Sequence, residues 1–133
     1  VALRAKGVER SILVTDAVAP AGCQPGLYRI GEVEVELHAD GSVRQRGGGR
    51  LAGSALLMHR GVENLIKLAG ISLQEALTMA TRNPARVGRI ANRQRGLAAG
   101  ERADIVAFRF DRETKRIQIE RTWLSGELVY SRN

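Results

Sequence analysis

The first apolar cluster of the chain is a continuous run, Ile12, Leu13 and Val14, which stops at Thr15 and Asp16 and gives way to the turn residues Pro20 and Gly22. A run of this kind predicts a strand buried on both faces, as in a parallel sheet, better than one wetted on one side. Asp16 then stands just past the strand's carboxyl end. In barrels of alternating strands and helices that end carries the chemistry, and a carboxylate in the packed interior would be costly to desolvate. An aspartate here can equally organise the turn toward Pro20 and Gly22 through its own side chain. Spacing alone leaves both readings open.

Residues 27–30 and 33–38 read as strands, the second with Val33, Val35 and Leu37 alternating against Glu34, Glu36 and His38, which marks a sheet with one wet face. Asp40-Gly41 is a two-residue turn signal, and residues 42–45 return as a short partner, so a hairpin insertion is predicted over about 28–45. After the glycines 47–49, Ser54 is placed to cap a helix whose apolar stripe is Leu57, Met58, Val62, Leu65, Ile66 and Ala69, ending at Gly70. Ser72 to Glu75 reads as a capping box opening a second helix, and Asn83-Pro84 as cap and first residue of a short third helix that Gly88 stops. Strands follow over 104–110, 117–124 and 128–130.

A chain of 133 residues has the length of one ordinary domain, and its 44% hydrophobic and 26% charged residues are those of a folded protein. No apolar run approaches the ~20 residues of a membrane span, and the start lacks a signal-peptide pattern, so neither membrane nor secretion is expected. The single Cys23 cannot form an internal disulfide and suits a reducing, cytoplasmic setting. The net charge of +7 invites an anion or nucleic-acid reading. The arginines are dispersed, however, and only 4% of residues are aromatic, which leaves few stacking platforms for bases. A solvated basic surface accounts for the charge, and a phosphorylated small substrate is compatible with it.

Chemistry-bearing motifs are sparse. The glycines of RGGGRLAGSAL precede a predicted helix and could hold an anion, but their spacing is that of neither common nucleotide loop. His38 and His59 have no second ligand at helical or strand spacing, so no metal site is predicted from them. No GxSxG nucleophile elbow is present.

Three segments together resemble a known family. ILVTDAVAPAG at 12–22, LAGSALLMHRGVENLI at 51–66, and ATRNPARVGRI followed by RGLAAGERADIVAF within 80–108 are similar, in order and spacing, to the C-terminal part of the N-acetylglucosamine-6-phosphate deacetylases of the amidohydrolase superfamily. The last segment is common to the superfamily, whereas LVTDA with PAG and LAGSAL points to the deacetylases. The resemblance implies an α/β fold: the C-terminal portion of a (β/α)8 barrel over residues 1–101, with the hairpin inserted after its last strand, and part of a small β-sandwich over 102–133. It implies that Asp16 assists attack of metal-activated water on the acetamide carbonyl and hands a proton to the leaving amine. It also implies that Leu51, Ala52 and Gly53 border the pocket for an amino-sugar phosphate. The divalent metal, zinc or iron, would be held by ligands upstream, and the enzyme would be a homo-oligomer.

A complete barrel runs to about 250 residues. The HxH strand, the metal-bridging acid and the later histidines of the family are missing from this chain, which is therefore expected to be a fragment, inactive alone and prone to self-association through uncovered apolar surface. Two other readings stay open: an amidohydrolase with a different amide substrate, and a small basic module that binds anions or nucleic acid without catalysis.

Overall fold

Two antiparallel sheets and four short helices make up an α/β architecture, in a computed structural model that describes all residues from Val1 to Asn133. The chain divides into two compact units, one of residues 14–61 and one of residues 1–13 with 62–133.

In the unit of residues 14–61, β1 (Gly26–Ile30), β2 (Val33–Leu37), β3 (Ser42–Gln45) and β4 (Leu51–Ser54) form a meander in sequential order. The predicted alternation holds at Val35 and Leu37, which are buried with Val43 and have Tyr28, Ile30 and Ala52 packed against them, while Glu34 and Glu36 are exposed; Val33, at the start of β2, is exposed as well. Asp40 makes the turn it was expected to make, its Oδ1 accepting from the Ser42 amide at 2.8 Å while Gly41 takes φ +80°.

The glycine run does not lead into a helix. Gly47 to Gly49 form the turn between β3 and β4, pinned by Arg44 Nη1 donating to the Gly49 carbonyl at 2.8 Å. Anion binding by glycine amides at a helix start therefore falls away, because the helix begins only at Met58. Ser54 is likewise not a helix cap. It closes β4, and its Oγ accepts from the Leu56 amide at 3.0 Å.

The other unit contains α1 (Ala2–Lys6), a 3-10 turn over Val8–Arg10, most of α2 (Met58–Ala69), α3 (Leu73–Ala80), α4 (Arg82–Val87), and the sheet β5 (Ile105–Phe110), β6 (Ile117–Leu124), β7 (Glu127–Ser131). Its core is Val62 and Ile66 of α2, Ala76 of α3 and Ile117 of β6, with Leu13, Phe108 and Phe110 packed around them. Val62, Leu65 and Ile66 of the predicted stripe face inward, whereas Leu57, which precedes the helix, and Met58 and Ala69 at its two ends are exposed; Gly70, at φ +69°, ends the helix.

Asn83 caps nothing. The structure starts α4 at Arg82 and buries Asn83 inside it, where Nδ2 donates to the carbonyls of Val8 and Ser11 at 2.8 and 2.7 Å. A buried amide takes partners where it finds them, and here two carbonyls of the N-terminal segment outweigh the capping position. The expected two-faced strand over 12–14 also differs. Leu13 packs into the core and its N–H donates to Met79 O at 3.0 Å, but Ile12 and Val14 are 39% and 69% exposed. These residues have no strand alongside them, so only one side chain of the run is covered.

The capping box of α3 forms as predicted. Ser72 Oγ accepts from the Glu75 amide at 3.2 Å, and Glu75 Oε2 accepts from the Ser72 amide at 2.7 Å. The Ser72 hydroxyl, which also donates to Glu75 Oε2 at 2.7 Å, and the Ser72 amide together hold the Glu75 carboxyl below its ordinary value of 4.5. A carboxyl depressed by folding contributes stability above that value and loses it as pH falls through the lower folded one. Glu75→Gln is therefore expected to lower the urea midpoint at about pH 6 more than at about pH 3. Equal effects at the two pH values would remove the box from the acid response.

Candidate active site

Asp16 sits in a segment that forms no strand, one residue before the bridge at Ala17. Its backbone is left-handed, at φ +53°, a conformation that aspartate and asparagine tolerate better than most residues. The bend is stitched by its neighbour: Thr15 Oγ1 accepts from the Ala17 amide at 3.3 Å. The Asp16 carboxylate is exposed and holds no backbone amide or cation, so the turn-organising role falls to Thr15 and leaves the carboxylate uncommitted.

Directly after the bend the chain docks on β4. Ala17 forms a parallel bridge with Ser54, and the Val18 amide donates to the Ser54 carbonyl at 2.9 Å. This is the one parallel pairing in a chain whose ladders are otherwise antiparallel.

The three other predicted site residues all lie on β4. Val43 pairs with Gly53 and Arg44 with Leu51, which leaves Ala52 as the extra residue of a β-bulge. Bulges re-aim side chains and are common beside sites. Leu51 is 67% exposed, whereas Ala52 turns into the sheet's core cluster. Gly53, at φ +140°, lies under Val18: a Cβ there would stand 2.4 Å from Val18 Cγ1. Asp16 is thus joined to Leu51, Ala52 and Gly53 through Ala17, Val18 and Ser54. Sequence reasoning passed over Val18 and took Ser54 for a helix cap. The signal was a lone glycine in an apolar strand, which marks a bulge or a close backbone approach.

The remaining candidates behave as surface groups. His38 lies 3.9 Å from Glu36, His59 is half-buried in the first turn of α2, and Cys23 is exposed. No three His, Cys, Asp or Glu side chains come together in a cluster fit for a metal ion, so these residues do not by themselves make a metal centre. Part of the positive charge is paired: Arg46 with Glu34, Arg95 with Glu101, Arg102 with Asp104, and Arg109 with Glu120, at 2.7–3.2 Å. These pairs are spread along the chain, as the arginines are in the sequence.

Comparison with known proteins adds three kinds of likeness. A profile describing the Amidohydrolase family matches residues 51–130. A shorter Escherichia coli K12 protein, provisionally named N-acetylgalactosamine-6-phosphate deacetylase, is 36% identical over 91% of this chain and 68% of its own length. The N-acetylglucosamine-6-phosphate deacetylase of Vibrio furnissii is also 36% identical, over 91% of this chain but 29% of its own length. Among solved structures, an aspartate-to-alanine mutant of the Mycobacterium smegmatis N-acetyl-D-glucosamine-6-phosphate deacetylase, in complex with N-acetyl-D-glucosamine-6-phosphate, superposes with a TM-score of 0.78 at 31% identity. That match covers 97% of this chain and 33% of the solved one. The chain therefore spans about a third of the length of the longer deacetylases that it resembles.

Proposed function

The chain belongs to the amidohydrolase family, and we propose that it forms part of a metal-dependent enzyme that deacetylates N-acetylglucosamine 6-phosphate, with Asp16 as the proton-transfer group. The observation that carries this reading is the uncommitted carboxylate of Asp16, exposed and tied through Ala17 and Val18 to the bulged strand β4. Residues 1–101 would belong to the barrel portion of that enzyme and residues 102–133 to its sandwich, with Leu51, Ala52 and Gly53 bordering the sugar.

The chemistry asked of Asp16 is one proton moved twice. Its carboxylate accepts a proton from water as the new C–O bond forms at the acetamide carbonyl. It then gives that proton to nitrogen as the C–N bond breaks, which releases the amino sugar phosphate and acetate. An exposed carboxylate free of structural bonds can do this, because neither protonation state disturbs the fold around it.

A second reading differs only at one sugar carbon. The 36% identity to a relative named for N-acetylgalactosamine 6-phosphate equals that to one named for the gluco epimer. Acetate release from the two epimers by the full gene product, with divalent metal present, decides between them. Turnover of neither epimer sinks both. The 133-residue chain on its own is expected to release no acetate with added zinc or iron, since its side chains form no metal cluster. Turnover by the isolated chain would contradict this.

A further inference from the structure

We propose that Val18 is a positioning residue for Asp16, seated on the bare Cα of Gly53 so that residues 16–18 can hold only one register against β4. The inference rests on the reading of Asp16 as the proton-transfer group. Val18 is half-buried among the apolar residues of the sheet, and its amide donates to the Ser54 carbonyl. Its two methyl groups fill the place that a side chain at position 53 would take: a Cβ there would lie 2.4 Å from Cγ1 and 2.9 Å from Cγ2.

Those distances make the contact a lock. A slip of one residue along β4 would set Val18 against the Cβ of Ala52 or of Ser54, and neither neighbour offers a bare Cα. Register in a strand pair is set by such packing, and a one-residue slip moves every side chain to the other face. Asp16 depends on this lock more than most residues would. Its carboxylate has no bond of its own to hold it, so its place comes from the backbone, which is pinned two residues further on. Small misplacements of a proton-transfer group are costly in rate, because the reacting atoms must meet at near-contact distance.

Two readouts test this. In the full gene product, Val18→Ala is expected to lower kcat for acetate release about tenfold or more, with KM within about twofold, while Val18→Thr, which keeps two groups on Cβ, restores most of the rate. In the 133-residue chain, exchange of the Val18 amide is expected to speed up about tenfold in Val18→Ala, as its bond to Ser54 opens more often. Unchanged exchange overturns the lock. Faster exchange with wild-type kcat overturns the positioning role. Should Val18→Ala fail to fold by circular dichroism, Val18→Ile overfills the same contact and is expected to lower kcat in the same way. Asp16→Asn separates this inference from the reading beneath it. Loss of turnover in Asp16→Asn with full turnover in the Val18 variants sinks only the positioning role of Val18, whereas full turnover in Asp16→Asn sinks the role of Asp16 itself.

Discussion

Asp16→Asn is expected to lower kcat for deacetylation by the full gene product about 10²–10⁴-fold, the range a positioned acid–base group supplies. Asparagine is the informative replacement for a conformational reason. Position 16 has φ +53°, where asparagine sits as readily as aspartate and alanine does not, so Asp16→Ala would mix backbone strain with lost chemistry. The carboxylate makes no bond that holds the fold, so the amide should leave thermal unfolding of the isolated chain unchanged. A fall in stability matching the fall in rate would recast Asp16 as a structural turn residue. A kcat within about threefold of wild type would remove it from the reaction.

Glu63→Ala is expected to destabilise the fold. Glu63 is 1% exposed in the middle of α2, and its Oε1 accepts from the Ile117 amide at 2.8 Å, tying the helix to the first residue of β6. Its Oε2 lies 3.7 Å from Arg116 and 3.9 Å from Lys67, so two half-exposed cations neutralise a carboxylate that the core has enclosed. Truncation leaves the buried Ile117 amide without its acceptor and removes the partner of both cations. The two cations left behind are half-exposed and can turn to water, so the cost lies mainly in the orphaned amide, about 1–3 kcal/mol. That is a large share of the roughly 5–15 kcal/mol by which a domain is stable. Glu63→Gln keeps an oxygen for the Ile117 amide and gives up only the ionic part, so its cost should be nearer about 1 kcal/mol. Urea unfolding of the three proteins checks the order. Glu63→Ala with the stability of wild type would show that α2 and β6 are held by their apolar contacts alone.

Glu63 also shows where sequence reasoning stops. In the helical pattern it is a polar residue beside the apolar Val62, and nothing local distinguishes it from a solvated glutamate. Its burial follows from Ile117, 54 residues away, whose amide meets it. Asn83 is similar: beside Pro84 it has the local form of a helix cap, yet the carbonyls of Val8 and Ser11, far back in the chain, claim its side chain. Ser72 and Glu75 went the other way. Both halves of their box lie within one helical turn, so the pattern was enough.

What could be read from residues alone was therefore the local and the periodic: the alternation of β2, the stripe of α2, the capping box, the Asp40-Gly41 turn, and the ordered motifs that mark the family. Each is decided by neighbours within a few positions, where sterics, hydrogen-bond geometry and apolar periodicity act directly. Tertiary structure alone decided which of those residues meet. It turned LAGS from a helix entrance into a bulged strand, exposed Ile12 and Val14 of a run that looked fully apolar, and set Val18 on Gly53 so that Asp16 is placed by its backbone and left free in its side chain. The reason is physical: burial and close backbone approach are properties of pairs of segments, and only folding determines which segments become neighbours.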